Sequence, residues 1–144
     1  MSVKTYDPNE VICIVGGAII SGYADGTYLN VERDEQMFQK VEGADGFVYR
    51  AKSNNKSGVL TLTLQQTSPS NDVLSGFMVA DELTNSGIVP VFIKDAIGTT
   101  VLVSGEGWVQ QMPAVGYAKE VNNREWSIAM AQINAFVGGN QITT

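Results

Sequence analysis

The stretch SGVLTLTLQQTS, Ser57 to Ser68, carries the plainest structural signal in the chain. Leu60, Leu62 and Leu64 alternate with Thr61, Thr63 and Gln65. Successive side chains of a strand point to opposite faces, so this period of two describes a strand with one dry face and one wet face. An antiparallel sheet accommodates such a strand, packed on a core on one side and open to water on the other.

Strands surround it. EVICIVGG (Glu10 to Gly17) is a short β-branched run, and its two glycines permit a bend into a second strand, AIISGYADG, ended by the turn-forming Ala24–Gly26. From Tyr28 to Asp34, Leu29 and Val31 oppose Tyr28, Asn30 and Glu32. Met37 to Glu42 continues extended, EGADG (Glu42 to Gly46) turns, and FVYRAKS (Phe47 to Ser53) forms a further strand. An extended hairpin arm is therefore expected over about 27–46.

One segment has helical punctuation. In PSNDVLSGFMVADELTNSG, Ser70 is a candidate N-cap, Asp72 suits the positive end of the helix dipole, and Val73, Leu74, Phe77 and Met78 make a helical stripe. Asn85 to Gly87 can adopt the left-handed stop, giving a helix over about 70–84. Gly76 inside it costs about 1 kcal/mol relative to alanine, so packing has to hold the helix. Beyond it, Ile88–Lys94 and Thr99–Ser104 read as a hairpin around Asp95–Gly98. Pro90 predicts that the first of these strands lies at an edge or begins after the proline. EGWVQQMP extends the second strand to Pro113, and AVGYAKEVNN is a connection. The closing run EWSIAMAQINAFVGG is ambiguous. As a helix it would align Trp126, Ala129, Met130, Ile133 and Val137. As a strand it would put Trp126, Ile128, Met130 and Phe136 on one face, and Ser127, Ala129, Ala131, Ile133 and Ala135 on the other.

Composition narrows the chemistry. A length of 144 residues predicts one domain, 1–144. There is no histidine and a single cysteine, so Ser-His-Asp and Cys-His catalysis, histidine zinc sites and thiolate clusters are all excluded. Cys13, inside VICIV, reads as a small buried hydrophobe. Neighbouring acids in ERDEQ (Glu32 to Gln36) and at Asp81 and Glu82 point apart on any regular element, and neither segment has calcium-loop spacing. VGGAIISG lacks the G-x-G-x-x-G spacing of a dinucleotide loop. No catalytic, cofactor or metal site is expected. Fifteen acids against nine bases give a net charge of −6, which disfavours binding to a phosphate backbone. No apolar run approaches the roughly 20 residues needed to span a bilayer, and MSVKTYDPNEV has no apolar stretch of a secretory signal. No membrane partner is expected.

The order of elements is distinctive: a β-rich chain, one central helix, a strand–KDAIG–strand hairpin, EGWVQQMP, and the closing REWSIAMAQINAFVGGN. It resembles the tail tube proteins of long-tailed, contractile-tailed bacteriophages over nearly its whole length. The resemblance implies a mainly β, sandwich- or barrel-like tail-tube fold, with the closing segment as a strand. It also implies six-membered rings stacked into a hollow conduit for DNA ejection. The implied partner is the chain itself, with sheath, baseplate and tape-measure proteins around it and DNA passing through without sequence-specific binding. The setting would be the virion, after synthesis in the host cytoplasm.

On that reading Thr61, Thr63 and Gln65 are candidate lumen-facing residues, with Glu32 and Glu106 as acidic contributors. Acids dominate from Asp25 to Asp45, and Arg50, Lys52 and Lys56 follow without an acid among them. An acidic arm docking on a basic patch of the next copy would set register. Candidate inter-subunit contacts are accordingly Asp34, Glu35, Met37, Phe38, Glu42, Arg50, Lys52 and Lys56, with the small Ala129, Ala131 and Ala135 allowing close approach. The other readings are a baseplate or tail-terminator ring, a small-molecule-binding β-barrel, and an enzyme using carboxylates such as Asp95 and Glu106.

Overall fold

The computed structural model describes residues 3–139. A 3-10 turn (Pro8–Glu10) leads into β1 (Val11–Val15) and β2 (Ala18–Ile19). Then come β3 (Leu29–Arg33), β4 (Phe38–Glu42), β5 (Val48–Lys52) and β6 (Gly58–Gln65). Helix α1 (Ser70–Thr84) precedes β7 (Val89–Asp95), β8 (Val101–Gln111), β9 (Asn123–Met130) and β10 (Asn134–Phe136). The main sheet runs β2-β1-β7-β8-β9-β6-β3, antiparallel throughout, with β10 also on β8. β4 and β5 pair only with each other.

The alternation in β6 organises the core. Leu60, Leu62 and Leu64 are fully buried and meet Trp126, Ile128 and Met130 of β9, Val91 and Ile93 of β7, Cys13 and Val15 of β1, and Leu74 of α1. Phe77 and Met78 lie half-buried against the same cluster, so the helix rests one stripe on the sheet. The crossing from β2 to β3 spans the sheet's two ends. The Ile20 amide donates to Cys13 O on β1, and the Ala24 amide donates to Thr63 O on β6. The sheet thus curls toward a barrel around a core filled by side chains.

The closing segment is extended. β9 pairs with β6 from Gly58↔Met130 to Gln65↔Asn123, and with β8 on its other side. β10 continues along β8 after a break at 131–133. Alternation slips at the break: Ile133 turns into the core, its amide bonds Lys56 O, and Phe136 is exposed. A strict period of two predicts the reverse for these two residues.

Other expectations are corrected. The hairpin arm is β4–β5, Phe38–Lys52, whereas residues 29–33 belong to the main sheet as β3 on β6. Period-two sequences do not say which strand a segment will pair with. β7 is an interior strand; Pro90 sits where the register with β8 shifts between Val89 and Val91, a bulge that tolerates a missing donor. Ser70 is the first helical residue instead of the cap. The Ser68 hydroxyl accepts from its amide at 3.2 Å, and the Ser70 hydroxyl accepts from the Ser21 amide at 3.0 Å. Asn85 ends the helix at φ 56°, as its sequence context predicts. AIISGYADG supplies only the two residues of β2 as strand.

Candidate functional site

Cross-strand register decides which polar residues share a face, because directly opposed residues project to the same side. On β3 and β6, Asn30 opposes Thr61 and Glu32 opposes Val59. On β6 and β9, Thr61 opposes Ser127, Thr63 opposes Glu125 and Gln65 opposes Asn123. On β9 and β8, Ala129 opposes Trp108, and Gln110 Nε2 donates to Ser127 Oγ at 2.7 Å. These side chains form one continuous outer surface across β3, β6, β9 and the second half of β8, opposite the leucine core. Asn30 Nδ2 donates to Glu32 Oε1 at 3.3 Å within it.

Four sequence-predicted residues, Glu32, Thr61, Thr63 and Gln65, therefore lie together. Glu106 is exposed where β8 bulges; alternation from Gly107, opposite Met130 on the core side, puts it outward. The surface also takes in Glu125, Ser127, Asn30 and Gln110, which sequence reasoning missed because they become neighbours only through strand pairing. None of the named wall residues is basic. Its charged members are Glu32, Glu106 and Glu125, which with the hydroxyls and amides make most of it polar, while Val59, Ala129 and Trp108 form an apolar stretch within it.

The β4–β5 hairpin has a different character. Every residue of both strands is exposed, with Phe38, Val41, Val48 and Tyr49 among its large apolar side chains. Arg50 lies over the Phe38 ring at 4.2 Å and Lys40 pairs with Glu42 at 3.4 Å. Met37, Phe38, Glu42, Arg50 and Lys52 thus sit on or beside one arm; Arg50 and Lys52 of the basic run lie on β5, but of the acidic run only Glu42 lies on β4, where Lys40 offsets it. Asp34 and Glu35 brace its base: Asp34 accepts from Ser57 Oγ at 2.8 Å and Glu35 from Ser53 Oγ at 2.7 Å. Lys56 is exposed just before β6. Away from the arm, Ala129 is buried, while Ala131 and Ala135 are exposed on either side of the break in the closing strand.

The wider surface offers little chemistry. Asp95 is buried in its turn, where it accepts from the Ile97 amide at 3.3 Å. A groove of about 660 Å3 runs between Tyr6, Ile12, Ile19, Tyr23 and Tyr28. Burial raises the Tyr23 phenol well above its ordinary value, and its hydroxyl finds no partner among the described residues. No group of His, Cys, Asp and Glu among the described residues could hold a metal ion, and no described helix is long and apolar enough to cross a membrane.

The family model of the bacteriophage PhiTE tail tube protein matches residues 4–138. The chain belongs to this phage tail tube family. A curated relative, structural protein ORF10 of Pseudomonas phage KPP10, is 31% identical over 146 residues, covering 96% of this chain and 84% of the relative. As a member of the family the chain is a viral structural protein of the tail tube. Solved structures share the fold at low identity. The sheath/tube terminator of an extracellular contractile injection system (PVC) aligns with TM-score 0.62 and 13% identity, over 92% of this chain and 97% of that one. The tube-terminating cap of the anti-feeding prophage gives 0.62 at 10%, over 94% of each chain. A chain of the PVC sheath–tube complex gives 0.60 at 13%, over 92% and 91%.

Proposed function

We propose that this protein is the repeating subunit of a phage tail tube, assembling into hexameric rings that stack into the conduit for DNA ejection. The observation that carries the reading is the polar face across β3, β6, β9 and β8, free of Lys and Arg at its wall positions, in a member of a tail tube family. A wall of this composition wets the DNA backbone without gripping it. No counterions are released by lysine or arginine contacts, so no sequence-independent affinity slows the passing strand. The protein contributes no catalysis and no cofactor in this role. Its partners are copies of itself, with sheath, baseplate and tape-measure proteins, and its place is the virion after synthesis in the host cytoplasm.

Replacing Thr61, Thr63 and Glu125 together by Lys tests the wall. Tubes are expected to assemble while genome ejection slows markedly; ejection at the normal rate would mean that this face does not line the conduit. A second reading, a ring that terminates the tube, is favoured by the fold-level likeness to a terminator and a cap. Light scattering of the purified protein against concentration, with electron micrographs, separates the two. Long polymers support the tube subunit, and discrete single rings support the terminator.

A further inference from the structure

Arg124, on the core side of β9, is only 9% exposed, and its Nη1 has no hydrogen-bond partner among the described residues. A buried cation without a partner is costly, and pairing it with an opposite charge relieves that cost. The guanidinium lies under the Tyr117 ring, 5.5 Å from its centroid. The loop carrying Tyr117 is held in shape: Asn122 Nδ2 donates to Gly116 O and the Asn122 amide to Gln66 Oε1, both at 3.1 Å. Yet Met112, Val115, Tyr117 and Val121 on this segment are all exposed. This segment, the Arg124 socket, therefore sets a buried guanidinium nitrogen without a partner beside the exposed Tyr117 ring and its exposed apolar neighbours in sequence. One occupant answers both features if it brings a carboxylate beside apolar surface.

The chain carries such a knob at the tip of its hairpin. Gly43 donates to Phe47 O at 2.8 Å and Gly46 to Gly43 O at 3.1 Å, closing a tight turn. Asp45 Oδ1 accepts from the Phe47 amide at 3.3 Å, which fixes the carboxylate next to an aromatic ring that is 64% exposed. We propose that the Arg124 socket of one copy receives the Asp45 carboxylate and the Phe47 ring of a second copy. The proposal rests on the tube reading for why copies meet. The charges are opposite, the apolar parts adjoin, and the cation is one that the fold has already largely buried. Arg suits the role because its planar donors match a carboxylate.

The test has two arms. The first mixes two singly substituted full-length chains, Ala44→Cys at the tip and Val115→Cys at the rim, under mild oxidation. Cys13 does not compete, since it is fully buried and burial pushes its thiol up to about 12. A disulfide joining the two different chains is expected, and it should vanish when the rim chain also carries Arg124→Met. The second arm measures the concentration needed for assembly. Asp45→Asn, on an exposed turn that keeps its fold, should raise it by about tenfold or more, as should Arg124→Met, and the double variant should be no worse than the more impaired single. Tubes that form without the cross-link, or substitutions whose effects simply multiply, would overturn the contact and leave the tube reading standing. A cross-link from a protein that never forms tubes would uphold the contact and remove the tube. Absence of both would overturn both.

Discussion

Glycine to alanine adds one methyl group, and at two positions here it should act with opposite sign. Gly58 opens β6, opposite Arg33 on β3 and Met130 on β9. An added Cβ would run into the Glu32 carbonyl oxygen and Ile133 Cδ1, with Arg33 Cα at 3.1 Å. Ile133 can rotate away, but the carbonyl belongs to the β3 backbone and withdraws only by stretching the β3–β6 ladder. Overpacking of this kind costs about 1–3 kcal/mol, and the backbone clash puts Gly58→Ala in the upper half. Gly76 is exposed in mid-helix with nothing within 4 Å of an added Cβ. There alanine lowers the entropy of the unfolded chain and favours the helix, a gain of about 1 kcal/mol. For a domain of this size 1 kcal/mol moves Tm by roughly 3–5 °C. Thermal unfolding of dilute, unassembled subunits should thus show Gly76→Ala raised by roughly 3–5 °C and Gly58→Ala lowered by roughly 6–15 °C. An unchanged Tm for Gly58→Ala would refute the close approach of β3, β6 and the break in the closing strand. With it would go the register that gathers the polar wall.

Hydrogen exchange should divide the sequence's one apparent arm in two. In free subunits the amides of residues 29–33 that bond β6 should exchange slowly and those of β4–β5 quickly, with the hairpin gaining protection on assembly; slow exchange throughout Phe38–Lys52 in a dilute subunit would contradict an unsupported hairpin. Alkali should unfold the protein for a specific reason. Burial pushes Cys13 from 9.0 to about 12, and burial, reinforced by Tyr6 and Asp95, pushes Tyr28 from 10.0 to about 12. Both groups are neutral when protonated and hold their protons longer when folded, so their contribution is complete below pH 9.0 and is lost as pH rises toward about 12. Tyr23 shifts in the same direction. Urea midpoints should fall across that window, and Tyr23→Phe, which also removes a buried hydroxyl without a partner, should flatten the fall without lowering stability at neutral pH. A midpoint constant up to pH 12 would show these groups to be as hydrated folded as unfolded.

Most of the framework was legible because it rests on local signals. The leucine–threonine alternation of β6 forces one face dry, and Asn85 after a 15-residue helix supplies a left-handed stop. The misreadings fall where tertiary pairing decides. Pro90 argued for an edge, and only the sheet order reveals that a bulge lets β7 lie inside. Ile133 and Phe136 exchange faces because the strand breaks between Met130 and Asn134, a change invisible to a strict period of two. Glu125 and Ser127 join Thr63 and Thr61 across a gap of more than sixty positions in sequence. Arg124 gave no signal at all: a lone Arg before an apolar strand looks solvated until its burial is known.

Symmetry links the site to the assembly. A knob at Asp45 and Phe47 and a socket at Arg124 are different surfaces, so copies joined through them meet head to tail and each joined pair keeps one free knob and one free socket. Such an interface cannot stop at a dimer: it closes into a ring if the rotation returns on itself and otherwise continues as a helix. Short β3 complements this. As an edge strand it invites pairing, but Asn30, Glu32 and Arg33 along it discourage indiscriminate partners, leaving side-chain complementarity to choose the neighbour. A terminating ring needs one of the two surfaces blocked. On the tube reading the hairpin strands and the Tyr117 rim, both exposed in the single subunit, would each take a neighbour, whereas a terminating ring would leave one of them unpaired or covered.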